Sequence, residues 1–205
     1  MLESLRWHGA ASFAILNNVH IYINPRRIVR PERPADIILI SSSRYDFCSA
    51  SDIDKLRGEQ TRLFVSPSAQ TSVEGGIMLR AWQSAMTDRA CIKAIPIYRA
   101  DGAASDSGDV GFVISTRQHD IYYTGRTEAL PDSASVRPDI IILPIGGAEG
   151  GMSSAAASAA LRQMRPRWVV PYGWQSVGRA GRAEAQEFAS LLDPAQEVVI
   201  LDPNP

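Results

Sequence analysis

The chain has 205 residues, 45% hydrophobic, 21% charged and 7% aromatic, and 21 basic against 22 acidic side chains leave a net charge of −1. This is soluble globular composition, long enough for one domain with a sizeable core. The balanced charge provides no global field for nucleic acid or an anionic membrane, and neither is expected as a partner.

The opening "MLESLRWHGAASF" carries an acid at position 3 and no apolar stretch of the signal-peptide kind. Strands are expected at about 3–7, 11–16, 19–23 and 36–41. The last of these, "DIILIS", is apolar throughout, as a strand covered on both faces should be. It runs into "SSRYDFCSASDI", a turn and then a helix start. Ser49 or Ser51 is placed to cap "ASDIDKLRG", and Gly58 is a plausible stop. Further strands are expected at 61–65, 77–82, 92–98, 111–116, 119–123, 139–144, 167–171 and 197–201. "HDIYY" alternates, as a strand with one exposed face would. The polar segment 99–109, "RADGAASDSGD", reads as a loop or lid, and 173–183, "GWQSVGRAGRA", as a second irregular stretch.

Two later helices are expected. One is the alanine-rich 152–164, closed off by Pro166; the other is 182–192, with Ala185, Phe188, Ala189 and Leu192 on one stripe. No apolar run approaches the ~18 residues of a membrane span. Cys48 and Cys91 form no CxxC pair and are read as free thiols of a reducing compartment. The expectation is a cytoplasmic protein with one domain over 1–205.

Five segments in order resemble the metallo-β-lactamase fold, in the branch of small metal-dependent hydrolases that includes the L-ascorbate-6-phosphate lactonases. They are "RWHGAASFAI", "VHIYINP", "ADIILISSSRYDFCSASDIDKL", "GFVIST…HDIYYTGRTEAL" and "DIIILPIGG…M…AA…RPRWVVPYGW", with an ending like "EFASLLDPAQEVVILDPN". The resemblance covers nearly the whole chain. It implies an α/β (α+β) protein built as a four-layer αββα sandwich of two internal halves. A homo-oligomer is implied only by what relatives do.

In that family the turn after the buried strand reads T-H-x-H-x-D-H and supplies most ligands of one or two zinc-like ions, which activate a water. Here those positions fall on Ser41, Ser42, Arg44, Asp46 and Phe47, so the aspartate alone remains. The family's bridging aspartate falls on Arg126 in "GRT", its late histidine on Gly173 in "VVPYGW", and its early histidine on Ala10. His8, His20 and His119 lie on expected strands away from all of these.

A hydroxyl is a poor ligand, phenylalanine is none, and guanidinium stays charged near neutral pH. At ~4 Å and an effective dielectric of ~20, a guanidinium and a dication repel by about 8 kcal/mol. The turn therefore reads as a metal-binding frame without its ligands. No metal, no cofactor and no catalytic residue is expected.

The remaining candidates are the vestigial-site residues Ser42, Arg44, Asp46, Arg126, Tyr172 and Trp174. They could form a purely structural network. Alternatively, the arginines, the hydroxyls of Ser41, Ser42 and Ser43 and the loop amides could bind a small anion, since paired arginines suit bidentate recognition. Tyr45 and Phe47 are expected to pack beneath the turn, and Tyr172 and Trp174 to fill the former cavity or stack on a ligand. Cys48 lacks a partner base and is expected to be inert.

Three functional readings follow. The first is a non-catalytic pseudo-enzyme with a ligand-binding or assembly role. The second is a hydrolase acting on a small anionic phosphorylated or lactone substrate through a non-standard site. In the third, a hard metal ion is held by Asp101, Asp106 and Asp109 of the acidic loop. "GGAEGG", 146–151, lacks the ending of a phosphate loop, and "GRAGR", 178–182, reads as a solvated basic loop.

Overall fold

The computed structural model describes residues 2–146, 151–173 and 179–203, without the side chains of 179–181. Two compact units emerge. One comprises Met1–Arg80, Ser107–Asp109 and Leu201–Pro205; the other comprises Ala81–Asp106 and Val110–Ile200.

The first unit carries strands β1 (Leu5–Gly9), β2 (Ser12–Leu16), β3 (His20–Ile23) and β4 (Ile37–Ile40), helix α1 (Ala50–Leu56), then β5 (Arg62–Val65) and β6 (Ile77–Met78). They form one sheet in sequence order, with β1 to β3 antiparallel and β3 to β6 parallel. All four residues of β4 are buried, because the strand has a neighbour on each edge and α1 on one face. Ile53 and Leu56 of α1 pack with Ile38, Ile40, Leu63 and Val65. Burying two such side chains is worth about 1.5–3 kcal/mol each.

The start of α1 differs from expectation. Ser49 is the N-cap residue, but its hydroxyl donates to the Asp52 carboxylate at 2.8 Å and caps no amide. Asp52, 5% exposed, also accepts the amides of Arg27 and Ile28 and the Lys55 ammonium at 3.0, 3.2 and 2.8 Å. A buried carboxylate requires such partners, and these bonds tie the long β3–β4 connection to the helix. Gly58 does not provide a left-handed stop either. The helix ends with Arg57 extended at φ −73°, and the Gly58 amide donates to Thr61 Oγ1. Its missing side chain serves packing instead, since a Cβ there would lie 2.9 Å from Pro34 Cβ.

The second unit carries β7 (Ser84–Met86), β8 (Cys91–Pro96), β9 (Val110–Ser115), β10 (Asp120–Tyr123) and β11 (Ile140–Pro144). Helix α2 (Ser154–Met164), β12 (Trp168–Tyr172), α3 (Arg179–Ser190) and β13 (Glu197–Val198) follow. Its sheet runs in the order β13-β12-β11-β10-β9-β8-β7, with β7 to β10 antiparallel and β10 to β13 parallel. Ser153 caps α2 by accepting the Ala156 amide, and Arg165 closes it at φ +52° just before Pro166. Leu161, Met164 and Phe188 share one buried cluster with Ile141, Leu143 and Val169.

Three expectations need correction. The strand expected over 77–82 pairs only at Ile77–Met78. The short edge strand β7 was missed; its three residues show no apolar alternation and none is buried. Tyr122 and Tyr123 of β10 are both fully buried, so the strand has no exposed face. Hydrogen-bonded neighbours on both edges, β9 and β11, place it inside the sheet.

Two mixed sheets with helices on their parallel halves put the chain in the expected α/β (α+β) class. Among the described residues, no helix is long and apolar enough to cross a membrane.

Candidate functional site

The site begins where β4 ends. Ser41, 1% exposed, donates its amide to Asn24 Oδ1 at 2.8 Å, and its hydroxyl bonds Asn24 Nδ2 at 3.0 Å. Asn24 is fully buried at φ +47°, so one amide side chain satisfies both polar groups of the turn's first residue. Ser42, equally buried, accepts the Arg44 amide at 3.3 Å, and the Ser43 amide reaches Ser68 Oγ. Ser68 in turn bonds the Asp109 carboxylate at 2.6 Å and the Ser66 hydroxyl at 3.0 Å.

The apex is a tight turn. The Arg44 carbonyl accepts the Phe47 and Cys48 amides at 2.9 and 3.0 Å, and Phe47, 4% exposed, is buried as expected. Tyr45 corrects the expectation that it packs beneath the turn. It is 81% exposed, with the Arg26 guanidinium carbon 4.4 Å from its ring centroid. The cause lies in turn geometry: the inward direction at the apex is taken by Phe47, which leaves Tyr45 pointing out.

Arg44 Nε lies 3.9 Å from Asp46 Oδ1, with both side chains substantially exposed. A pair at that distance in solvent contributes almost nothing to stability. Cys48 is half-buried, and burial pushes its thiol up, away from the thiolate a nucleophile needs.

Arg126 and Tyr172 belong to the second unit. Arg126 is half-buried and lies between buried Thr124 and Thr127. Thr127 Oγ1 accepts the Tyr98 amide and donates to the Ala129 carbonyl. Gly125 precedes Arg126 at φ +67°, and a Cβ there would lie 2.9 Å from Ile97 Cδ1 and 3.0 Å from the Val110 carbonyl oxygen. Tyr172, 3% exposed, stacks on Tyr123 with ring centroids 5.9 Å apart, and its hydroxyl lies within hydrogen-bond distance of Tyr123 Oη and the Gly125 carbonyl. It is thus a filled position of the second unit's interior. Trp174 lies outside the described residues, as do 147–150 of "GGAEGG" and 178 of "GRAGR".

The other positions that the resemblance equates with ligands follow the same pattern. Ala10 is exposed at φ +46° with its carbonyl accepting Trp7 Nε1, and Gly173 sits at φ +78°. Of the acidic-loop residues, Asp101 pairs with Arg99 and accepts the Ala103 amide, while Asp109 is bonded by Ser68. His119 immediately precedes β10 instead of lying on it and reaches Asp139 at 3.7 Å.

A metal of the kind the fold implies does not fit these residues. Phe47 belongs to the interior, the Ser42 hydroxyl is buried and accepts the Arg44 amide, and Asp46 alone on the turn offers a carboxylate. Among the described residues, no group of three or more His, Cys, Asp or Glu could hold an ion.

Sequence reasoning missed Asn24, which organises the start of the turn. A clue was present in "INP", where a polar residue interrupts a strand-like run immediately before proline.

Fold and turn together define a protein of metallo-β-lactamase type whose ligand positions hold other side chains. The chain belongs to the beta-lactamase superfamily domain family, whose model matches residues 4–173. Among solved structures it is similar to a protein assigned as a metal-dependent hydrolase from Parabacteroides distasonis, with 21% identity, TM-score 0.80, and 97% of this chain and 93% of that one covered. It is also similar to Igni18, a metallo hydrolase from Ignicoccus hospitalis, with 19% identity, TM-score 0.74 and coverage of 98% and 95%. Isothiocyanate hydrolase from Delia radicum gut bacteria aligns at 13% identity, TM-score 0.69 and coverage of 98% and 97%. At such identities the likeness is one of fold. No curated protein sequence matches the chain.

Proposed function

We propose that the protein is a metal-free, non-catalytic member of its family with a ligand-binding or assembly role, binding a small anion through Arg44. The observation that carries this reading is the turn itself. Its former ligand positions are occupied by a core phenylalanine, a buried serine, Ser42, that accepts the Arg44 amide, and an exposed arginine. Restoring a hydrolytic centre would mean breaking those interactions as well as adding donors. Arg44 stands at one of these positions, and a guanidinium is suited to a phosphate or carboxylate in place of a metal.

Elemental analysis of the purified chain, with titration of inorganic phosphate, tests this reading. The expected result is less than a tenth of an equivalent of zinc, manganese or iron, with phosphate binding weakened by Arg44→Ala. One equivalent of metal that is lost in Asp46→Ala would overturn it. Steady turnover of a phosphoester or lactone panel, abolished by Arg126→Ala, would replace it with the hydrolase reading.

A further inference from the structure

An exposed position of the turn carries an aromatic ring with one arginine against its face and another beside it in the chain. Tyr45 is 81% exposed and occupies the second position of the turn closed by the Phe47 amide on the Arg44 carbonyl. Arg26 covers one face of its ring at 4.4 Å, leaving most of the remainder to solvent. Among the described residues, Arg44, immediately before it, has only the 3.9 Å contact with Asp46 as an ion pair. Arg26, Arg27 and Arg30 make no ion pair among the described residues, although Glu32 lies in the same segment. The backbone beneath is fixed by Ser42, Asn24 and buried Phe47. The ring is therefore held on a rigid support, and tyrosine has only two side-chain torsions to immobilise when it meets a ligand.

An exposed ring with a guanidinium against one face offers the other for stacking, and every planar ligand has a π face to match it. Arg44 beside it supplies two-pronged donors for an anionic group. Asp46 opposes such a ligand by competing for Arg44 and by its own charge.

From this juxtaposition we infer that the turn at 44–46, with Arg26, is a recognition site for an aryl or nucleoside monophosphate. The planar ring stacks on Tyr45 and the phosphate lies on Arg44. All four side chains belong to the first unit. The inference rests on the reading that this turn binds a ligand in place of a metal, and it adds the class of ligand.

Titration calorimetry of the full chain tests it with four probes: adenosine monophosphate, phenyl phosphate, adenosine and inorganic phosphate. Both ring-bearing phosphates should bind more tightly than either fragment. Tyr45→Ala should weaken them about tenfold, as expected from losing one stacked ring, and leave inorganic phosphate unchanged. Tyr45→Phe should bind like the parent, since the face is kept. Asp46→Asn should strengthen all three phosphates, by roughly threefold if its competition is that of an exposed ion pair. Melting curves confirm that each variant is folded. Equal affinity for inorganic and ring-bearing phosphate, indifference to Tyr45→Ala, or no binding of either ring-bearing probe would overturn the inference. Any of these in metal-free protein leaves the non-catalytic reading standing, whereas a retained metal at Asp46 removes that reading first.

Discussion

Two turns occupy places that the resemblance assigns to metal ligands, and they are built differently. The one after β4 is anchored at its start by buried Ser41 and Ser42 and then projects Arg44 and Tyr45 into solvent. The one after β10 is held at both ends by buried Thr124 and Thr127, with Arg126 half-buried between them. In both, buried hydroxyl residues fix the backbone and a cation stands beyond them. The difference lies in how tightly the apex is enclosed. The first can change its exposed side chains at little energetic cost. In the second, even one methyl group must displace something.

Breaking the first turn's anchor should have the largest effect. Asn24→Ala strips the partner from both polar groups of Ser41 and leaves a left-handed residue without an amide. About 4 kcal/mol is expected from two orphaned buried groups plus backbone strain. At 2–4 °C per kcal/mol for a chain of this size, the melting point should fall by roughly 8–16 °C; a drop under ~3 °C would show the anchor to be unimportant.

Gly125→Ala probes the second turn. Its Cβ would meet Ile97 and the Val110 carbonyl at 2.9–3.0 Å in a left-handed conformation, and about 3 kcal/mol of destabilisation is expected. Ser43→Ala, at an exposed position of the first turn, should stay within about 0.5 kcal/mol of the parent in denaturant titration. Equal losses in these two variants would erase the contrast between the turns.

Acid should loosen the first unit, and two groups set the window. Burial, then the nearby Arg33, lowers the His20 pKa below its ordinary value, and Nδ1 of that ring is buried without a partner. A depressed histidine is neutral in the fold, while the unfolded chain takes up a proton near pH 6.5. Its stabilisation is complete above ~6.5 and declines as pH falls towards the folded-state pKa. Burial alone would raise the Asp52 carboxyl, but the bonds from Lys55, Ser49 and the Arg27 amide outweigh it and hold the pKa below the usual carboxylate value. That contribution is complete above ~4 and is lost as pH falls through the folded-state pKa. Hydrogen exchange followed from pH 7.5 to 5 should show β3 losing protection first, and His20→Gln should flatten that dependence. An unchanged profile in the variant would assign the effect elsewhere. The smallest effect is expected from Asp46→Asn, whose only ion pair among the described residues is long and exposed. Its melting point should stay within ~1 °C of the parent.

Much of this was legible in the residue pattern because it depends on local chemistry. "IILI" and "IIIL" are apolar without interruption and became central strands, and Pro166 closes α2 as ring geometry requires. The absence of imidazole from the turn could be read letter by letter. What escaped depended on neighbours distant in the chain. Gly58 looks like a helix stop until Pro34 is packed against it, and the tyrosines of "HDIYY" look half-exposed until Tyr122 joins the Ile141 cluster and Tyr172 stacks on Tyr123. Tyr45 looks like core until Phe47 takes the inward place.

The sequence by itself determined most of the elements and which donors are missing, since hydrophobic period and side-chain chemistry are properties of short stretches. Only the tertiary structure decided which polar groups are bonded by Asn24 and Asp52, and which ring of "RYDF" faces water. Burial and hydrogen-bond partnership are set by residues tens of positions away, and no local pattern encodes them.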